Sequence, residues 1–399
     1  MSYDGGMTLT PLAGLGPELT SDQRERYARQ IRLPGFGEEG QRRLLCGKVL
    51  VVGAGGLGSP ALLYLAAAGV GTIGIIDDDV VDLTNLQRQV IHSTANVGIP
   101  KTVSAARAVR ALNPDVQVIE HACRITENNA EEIISGYDVV LDGTDNFLTR
   151  YTVDAACSRL SVPEIWGSIL RHAAQVSVFW TGANAVAHGV PEPGVCLRDL
   201  FPSPPPPGST PSCGEAGVFG LLCGQVGSMM AGEAVKLLTG IGEPLLGRVL
   251  VVDTASSSYM TIPLAGSTDR PEPLGGEELA DACTLTPRVA TIDVATLRDL
   301  LEARAAGRAA FNLLDVREEN EWAINRLDGA VHVPLGRVLD DPAAVLAGLE
   351  PGPVYVYCLA GVRSLRAAEA IADTGVTAVS VDGGIKAWWT DIDPAMPRY

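Results

Sequence analysis

The sequence is poor in aromatic residues, in positive charge and in long apolar runs. Only 5% of its 399 residues are aromatic although 46% are hydrophobic, so we expect cores built from Ala, Val, Leu and Ile. Its 30 Lys and Arg residues are outnumbered by 47 Asp and Glu, which gives a net charge of -17. This balance argues against nucleic acid and against an anionic membrane as partners, because both require clustered cations.

Targeting and membrane-spanning signals are also lacking. The first residues, Met1 to Gly6, contain no basic segment followed by an apolar run, so we expect no signal peptide. The most apolar stretch, 218–235, is interrupted by glycines and by Glu233, which predicts a buried helix and not a membrane span. The eight cysteines follow no secreted pattern, which favours reduced thiols and a cytoplasmic location.

Length and patterning predict an α/β fold in two domains. A chain of 399 residues is too long for one ordinary core. Alternating strands and helices predict a Rossmann-like, mostly parallel sheet first, and a smaller α/β domain after a segment rich in Pro, Gly and acidic residues. We predict a flexible tail, a first domain, a linker and a second domain, at 1–20, 21–264, 265–286 and 287–399. The proline-rich run at 203–211 is expected to be a loop of the first domain.

A glycine motif, Gly53-x-Gly55-x-x-Gly58, follows a predicted strand at Lys48–Val52 and precedes a predicted helix. Glycines let the backbone approach phosphate oxygens, and a helix N-terminus offers unpaired N–H groups. Asp77 ends the next predicted strand, where a carboxylate accepts hydrogen bonds from ribose hydroxyls. By itself the motif predicts only a nucleotide or dinucleotide, so a nicotinamide or flavin oxidoreductase remains an alternative.

Charged residues near the ends of predicted strands favour a triphosphate with Mg²⁺ over a nicotinamide. Arg88 lies in Thr84-Asn85-Leu-Gln-Arg88-Gln, Lys101 follows Gly-Ile-Pro, and Asp145 follows another predicted strand. Cations match phosphate charge, and carboxylate oxygens are the ligands that Mg²⁺ prefers. Taken singly, the two cations are equally compatible with ordinary surface charge, and Asp145 with a helix cap.

Together, these motifs resemble the E1-like (ubiquitin-activating-type) adenylyltransferases of the MoeB/ThiF kind, which serve sulfur carrier proteins. The match covers about the first 260 residues and includes Arg26-Tyr-Ala-Arg29-Gln and Gly-Thr-Asp145-Asn146. The resemblance implies that Asp145 binds Mg²⁺ and that Arg29 reaches the triphosphate of a neighbouring subunit, in a homodimer. It further implies an ATP site formed by Gly53, Gly55, Gly56, Gly58, Asp77, Thr84, Asn85, Arg88, Lys101, Asp145 and Asn146.

The implied substrate is the C-terminal glycine of a small, ubiquitin-like β-grasp sulfur carrier protein that ends in Gly-Gly. A carboxylate is a poor electrophile because its leaving group would be oxide. Its attack on the α-phosphate of ATP gives an acyl adenylate and expels pyrophosphate. Arg29, Arg88, Lys101 and Mg²⁺ would offset the charge that develops.

The cysteine pattern departs from this family, whose members usually hold a structural zinc with two Cys-x-x-Cys pairs. Cys196 matches one ligand, but its expected partner is Pro193, and no cysteine occurs at 268–275, where the second pair should lie. One thiol cannot form a closed tetrahedral site, so we predict that zinc is absent. Cys213 aligns with a cysteine that some members use to hold or resolve the acyl intermediate, whereas Cys223 is expected to pack in the core.

Residues 287–399 resemble a rhodanese sulfurtransferase domain. The motifs are Leu313-Leu-Asp-Val-Arg-Glu318, Asp328-Gly-Ala-Val-His-Val-Pro334, the loop Cys358–Arg363, and Asp382-Gly-Gly-Ile-Lys-Ala-Trp388. Asn325-Arg326 replaces the Gly-His that is usual in this domain. Cys358 follows a predicted strand at Val354–Tyr357 and precedes a predicted helix. Loop N–H groups, the helix N-terminus and Arg363 would therefore favour an exposed thiolate or persulfide.

Two alternatives concern this loop. Cysteine phosphatases use a similar loop, but their Arg lies one position farther along, and the smaller loop here favours sulfur over phosphate. A regulatory module without catalysis is disfavoured because Cys358 is present.

The combined prediction is adenylation of the carrier and then sulfur transfer from a Cys358 persulfide, which gives a thiocarboxylate. The donor, such as a cysteine desulfurase or thiosulfate, and the final product remain open. An activator that conjugates its carrier to target proteins is the remaining alternative.

Overall fold

The structure, a computed structural model, describes residues 9–205, 216–270, 279 and 287–399. Within these ranges the chain forms two compact units, one before residue 280 and one from residue 287 onward. Cys213, Cys283, most of the proline-rich run and most of the predicted linker lie outside the described residues. The exact domain boundaries therefore stay predictions.

The first unit alternates strands and helices, as the sequence predicts. Its strands, β1 to β8, span Lys48–Val52, Thr72–Ile76, Gln117–His121, Val139–Asp142, Glu164–Leu170, Ala173–Phe179, Arg248–Asp253 and Ser258–Pro263. Its described α-helices span Ser21–Arg26, Ala28–Ile31, Gly37–Cys46, Gly58–Ala68, Lys101–Leu112, Glu127–Ile134, Phe147–Leu160, Gly182–Ala187, Leu197–Leu200 and Gly220–Thr239. Short 3₁₀ turns occupy Leu83–Asn85 and Thr94–Asn96.

These strands form one eight-stranded sheet in the order β3-β2-β1-β4-β5-β6-β7-β8. The pairs from β3 to β5 are parallel, which confirms the predicted Rossmann-like half. The pairs from β5 to β8 are antiparallel. Only Arg171 and His172 connect β5 to β6, a link that is long enough for a hairpin but too short for a parallel crossover.

The strand β1, in the interior of the sheet, is buried on both faces, which explains its continuous apolar sequence. Val49 and Val51 join a core on one face with helices that include Gly220–Thr239, whereas Leu50 and Val52 join a second core on the other face. The apolar stretch at 218–235 therefore lies mostly in a buried helix, as predicted. None of the described helices has the length and apolar character that a membrane crossing requires.

Residues 9–20, the described part of the flexible tail expected at 1–20, pack against the first unit. Leu9, Ala13 and Leu19 are buried, and Leu12 and Ala13 donate backbone hydrogen bonds to the C-terminal end of the helix Gly220–Thr239. Arg42 donates to the carbonyl oxygen of Gly16. The apolar residues of this N-terminal segment are widely spaced and show neither a helical nor a strand period, so the sequence alone did not reveal this packing.

The second unit is a smaller α/β domain. Its strands, β9 to β13, span Ala290–Ile292, Asn312–Asp315, Ala330–His332, Val354–Tyr357 and Ala378–Val381. Its helices span Val294–Ala305, Glu319–Ile324, Leu335–Asp340, Pro342–Ala347, Val362–Ala372 and Gly384–Asp391. The strands form a parallel sheet in the order β11-β10-β12-β13-β9, so the carboxyl ends of its strands share one edge.

Candidate active sites

A cavity of about 360 Å³ lies in the first unit at the carboxyl ends of β1, β2 and β4. Val52 pairs with Ile76 on one side and with Asp142 on the other, so the residues that follow these strands meet at one edge. The strand order reverses direction along the chain at β1, and such a switch point is where open α/β sheets bind ligands. The glycine loop that follows β1 therefore lies in the position expected for a nucleotide.

Most residues of the predicted ATP site line this cavity. They are Gly53, Gly55, Gly56, Asp77, Asn85, Arg88, Lys101, Asp145 and Asn146. Gly58 and Thr84 do not line it: Gly58 packs against the carbonyl of Gly53, and the Thr84 hydroxyl donates to Asp82. Arg29 is an exposed residue of the helix Ala28–Ile31 and does not line the cavity.

Two side chains fix the glycine loop at Ala54. The Asp77 carboxylate accepts hydrogen bonds from the N–H groups of Ala54 (2.8 Å) and Asp79 (2.9 Å). The His92 ring bonds to the Ala54 carbonyl through Nε2 (3.0 Å) and to Ser104 through Nδ1 (2.8 Å). A carbonyl only accepts, so Nε2 carries the proton, and burial lowers the pKa of His92, which favours this neutral form. His92 was missed in the sequence because it follows no motif.

Two of the cations at the cavity, Lys101 and Arg124, already have acidic partners. Lys101 is buried, and its Nζ lies 2.7 Å from Asp79 Oδ2. Arg124 pairs with Asp78 at 3.0 Å. Burial raises the pKa of Asp77, an effect that Lys101 and the two N–H groups partly offset. The consecutive carboxylates of residues 77–79 thus lie close together, with two of them in ion pairs.

Asp145 is exposed at the cavity and forms no hydrogen bond or ion pair with another described residue. The helix Phe147–Leu160 is capped instead by Asn146, whose Oδ1 accepts from the Thr149 N–H at 2.8 Å. The helix-cap alternative for Asp145 is therefore wrong. An oxygen ligand without a protein partner fits a hard divalent cation such as Mg²⁺.

Arg150 is a second residue that the motifs did not single out. It lines the cavity but is buried, and its guanidinium donates to the Thr144 carbonyl at 2.7 Å and to Ser168 at 3.1 Å. The same group lies over the Phe147 and Trp166 rings. Arg150 therefore fixes the turn that carries Asp145 and Asn146.

Cys223 is buried, as predicted, and it also lines the cavity. Its sulfur lies so close to Gly56 that a Cβ at Gly56 would approach it to 2.9 Å. Gln89, from the same motif as Arg88, is also buried at the cavity. Gly56 thus allows the loop to pack on the helix Gly220–Thr239.

Polar contacts join the segment around Cys196 to Arg270, which lies where the second cysteine pair of the family would be expected. Cys196 is buried, and burial raises the pKa of its thiol to about 11. Arg270 donates to both carboxylate oxygens of Asp199 (2.9 and 2.8 Å) and to the Gly194 carbonyl (2.7 Å). Among the residues that the structure describes, no thiol or imidazole group gathers around Cys196. These contacts do not fit a tetrahedral zinc site.

A second site lies in the second unit, at the end of β12. Cys358 directly follows Tyr357, and the helix Val362–Ala372 begins four residues later. The Gly361 N–H donates to Cys358 Sγ at 3.1 Å, and the Ser364 hydroxyl lies 3.6 Å from the same atom. A donor and the positive end of a helix favour a sulfur anion. The sulfur is nevertheless buried, which differs from the expected exposed thiolate.

The loop is also held by the helix Gly384–Asp391. The N–H groups of Ile385 and Lys386 donate to the carbonyls of Cys358 (2.9 Å) and Leu359 (3.0 Å). Gly384 has a φ of +55°, and a Cβ there would lie 2.4 Å from the Cys358 carbonyl. The second glycine of the Gly-Gly motif is therefore needed for close backbone contact with the Cys358 loop.

Arg363 was expected to place an unbalanced positive charge beside the sulfur, but in the structure it is paired with a carboxylate. Its Nη1 and Nη2 donate to the two carboxylate oxygens of Glu321 at 2.6 and 2.8 Å. Both side chains are 9% exposed. The spacing within the loop could not reveal this partner, because Glu321 lies on a different helix.

Comparisons with known proteins match both units of the chain. The ThiF family model matches residues 27–272, and the rhodanese-like domain model matches residues 294–391. A probable adenylyltransferase/sulfurtransferase MoeZ of Mycobacterium tuberculosis is 45% identical over 401 residues, which cover 98% of this chain and 99% of that protein. A sulfur carrier protein adenylyltransferase of Thermus thermophilus is 50% identical over 240 residues, which cover 60% of this chain and 87% of that protein.

Solved structures share the fold of the first unit. A crystal structure of E. coli MccB with ATP matches with a TM-score of 0.51 and 20% identity, over 64% of this chain and 74% of that chain. At this identity the match concerns the fold alone.

Proposed function

The chain belongs to the ThiF family and contains a rhodanese-like domain, and from this premise we propose that it adenylates a sulfur carrier protein and transfers sulfur to the activated product. The observation that carries the proposal is the presence, in one chain, of a glycine-loop cavity with cations and a loop built around Cys358. ATP is the nucleotide that this chemistry requires.

In the first half-reaction, the carrier's C-terminal carboxylate attacks the α-phosphate of ATP and pyrophosphate leaves. The glycine loop would offer backbone N–H groups to the phosphates, held in place by Asp77 and His92. Arg88 and Lys101 would offset the charge that builds up on the phosphates. Since Lys101 pairs with Asp79 here, phosphate would compete with that carboxylate for the lysine.

Magnesium is the metal that we propose for this step, with Asp145 as its protein ligand. Its free carboxylate at the cavity is the observation that supports this role. When bound, Mg²⁺ would supply electrostatic stabilisation to the phosphates. Arg150 holds the Thr144 carbonyl and would so position Asp145.

The second half-reaction forms a bond between carbon and sulfur. The Cys358 thiolate first attacks the outer sulfur of a donor, such as thiosulfate or the persulfide of a cysteine desulfurase. The S–S bond of the donor breaks, sulfite or the desulfurase thiolate leaves, and Cys358 becomes a persulfide. The terminal sulfur attacks the acyl adenylate and AMP leaves, which gives an acyl disulfide on Cys358. Since Cys358 is buried in this structure, it must become accessible to the donor and the adenylate for sulfur transfer.

Release of the product requires a second thiol, and Cys213 is our candidate. A thiolate attacks Cys358 Sγ and expels the carrier thiocarboxylate, which leaves a disulfide between that thiol and Cys358. A cellular dithiol then reduces that disulfide and restores both thiols. Cys213 lies outside the described residues, so this role rests on the sequence resemblance.

We further propose a homodimer in which Arg29 contacts the triphosphate bound by the neighbouring subunit. An exposed Arg29 that does not line the cavity of its own chain is consistent with this role. The partner is a small ubiquitin-like sulfur carrier protein that ends in Gly-Gly. The thiocarboxylate would then supply sulfur to a biosynthetic reaction such as molybdopterin formation.

We propose that the chain binds no structural zinc. The Arg270 contacts to Asp199 and Gly194 join the two segments that a zinc ion would otherwise clamp. Purified protein should contain less than stoichiometric zinc by metal analysis and should melt at the same temperature with and without a chelator. One tightly held zinc per chain would overturn this part.

Exchange of pyrophosphate into ATP tests the adenylation site. Asp145→Asn should abolish carrier-dependent exchange because the isosteric amide removes the charge that binds the metal. Asp115→Asn, at an exposed carboxylate that does not line the cavity, should exchange like the wild type. Full exchange by Asp145→Asn would remove Asp145 from the metal site.

A further inference from the structure

The reactive loop is anchored by a buried ion pair. Arg363 lies in the first turn of the helix that follows the loop and pairs bidentately with Glu321. Bidentate pairing of a guanidinium with a carboxylate fixes the orientation of both groups. The position of this end of the loop therefore depends on the orientation of Glu321.

Tyr399 contacts Glu321 from the other side. Its hydroxyl lies 3.0 Å from Glu321 Oε1 and 2.7 Å from Arg317 Nη1. A guanidinium only donates, so the hydroxyl accepts from Arg317 and gives its one proton to Glu321. The two contacts thus define a single orientation for the hydroxyl.

Arg317 provides a rigid support for this contact. It is completely buried and pairs with Asp315, the final residue of β10, through hydrogen bonds of 2.6 to 3.0 Å. Its Nη1 donates to Asn325 Oδ1, and its Nη2 also donates to the Asn325 carbonyl, each at 2.8 Å. Tyr399 therefore connects an ion pair at the end of β10 with the ion pair behind the loop.

Asn325 also holds the segment that carries Tyr399. Its Nδ2 donates to the Pro397 carbonyl, while the Tyr399 ring packs edge-on against Trp389 with 5.5 Å between the ring centroids. Asn325 stands where the rhodanese motif usually has glycine, which has no side chain to form these bonds. The segment that carries Tyr399 is therefore held by a side chain that the usual glycine of the motif would not supply.

We propose that Tyr399 is a positioning residue for sulfur transfer, because its hydroxyl orients Glu321, which orients Arg363 and with it the Cys358 loop. This inference rests on the proposed role of Cys358 as the thiol that carries sulfur. Burial alone would raise the pKa of Glu321, but hydrogen bonds from Arg363, the Glu318 N–H and Tyr399 hold it below the usual range. The carboxylate is thus kept charged for its pairing with Arg363.

The test compares Tyr399→Phe with Tyr355→Phe in the full chain, with thiosulfate as donor and cyanide as acceptor. Tyr355 is the matched control, because its hydroxyl forms no hydrogen bond with a described residue. Tyr399→Phe should lower kcat about fivefold, roughly the rate equivalent of one hydrogen bond, without changing the KM for thiosulfate. Tyr355→Phe should match the wild type.

Several outcomes separate this inference from the proposed function. Equal kcat values for Tyr399→Phe and the wild type would overturn the inference alone, as would equal losses in both variants. Failure of wild-type Cys358 to gain sulfur, by intact mass, would overturn the proposed function itself. Melting curves record any loss of folded protein, and kcat is measured well below both midpoints.

A second variant tests the link to Asn325. Asn325→Gly removes the side-chain bonds to Arg317 and to the Pro397 carbonyl, which help to hold the segment that carries Tyr399, and should lower kcat in the same way. In the double variant with Tyr399→Phe, the combined loss should be smaller than the product of the two single losses, because both act through one segment. Losses that multiply would contradict the inference.

Discussion

Replacement of Gly58 by alanine tests how the glycine loop is built. Gly58 begins the helix that follows the loop, and a Cβ there would lie 1.9 Å from the carbonyl oxygen of Gly53, where ordinary contacts begin near 3.4 Å. Relief of this overlap requires a shift of about 1.5 Å between two backbone segments, which no side-chain rotation can supply. Overpacking of this kind costs about 2 kcal/mol or more after the helix propensity of alanine is counted.

The shift falls on the loop that lines the nucleotide cavity. Since a displacement near 1 Å costs about a hundredfold in rate, Gly58→Ala should lose most carrier-dependent pyrophosphate exchange. The melting midpoint should fall by roughly 4 to 8 °C for a unit of this size.

Gly224→Ala is the matched control for this experiment. Gly224 lies inside the helix Gly220–Thr239, where an added Cβ meets no atom within 4 Å. This variant should keep wild-type exchange and gain about 0.4 to 1 kcal/mol in stability. Wild-type exchange and melting in Gly58→Ala would refute the close approach of Gly58 to Gly53.

Three further substitutions address the first unit. Burial raises the pKa of Asp154 to about 6, so the folded chain is destabilised as pH rises from about 4 through 6. Asp154→Asn should therefore melt like the wild type at low pH and be more stable by up to about 3 kcal/mol near pH 8. Thermal melts across that pH range measure the difference. Identical melts near pH 8 would contradict this. Arg270→Leu should cost about 2 to 3 kcal/mol by denaturant unfolding, because it leaves Asp199 without its cation; a cost near zero would show that the pair is not a clamp. Arg150→Lys should lower exchange about tenfold or more, because an ammonium lacks the planar fork that directs separate N–H groups at Thr144 and Ser168. Unchanged exchange would remove Arg150 from the support of Asp145.

Local patterns in the sequence sufficed where one segment carries its own signal. The strands Lys48–Val52 and Val354–Tyr357 have the predicted bounds, since apolar runs between turn residues define buried parallel strands. The glycine loop and Cys358 follow these strands as expected. Asp77, Arg88 and Asp145 meet at one cavity because parallel strands end at the same edge.

Contacts between distant segments could not be read in the same way. His92 reaches the loop across 38 residues and Glu321 reaches Arg363 across 42, and neither pair has a spacing that a sequence pattern records. The packing of residues 9–20 depends on the same kind of long-range contact. The antiparallel half of the large sheet begins at the two-residue link between β5 and β6. The alternation of strands and helices predicts parallel neighbours and does not register so short a link.

Intact-mass spectrometry of the carrier is the most direct test of the central claim. Small proteins that end in Gly-Gly would be incubated with the full chain, ATP, Mg²⁺, thiosulfate and a dithiol. The wild type should increase the mass of one carrier by about 16 Da, as oxygen is exchanged for sulfur, whereas Cys358→Ser should keep pyrophosphate exchange and produce no such increase. An equal mass increase with Cys358→Ser, or none with the wild type for a carrier that supports exchange, would contradict the account.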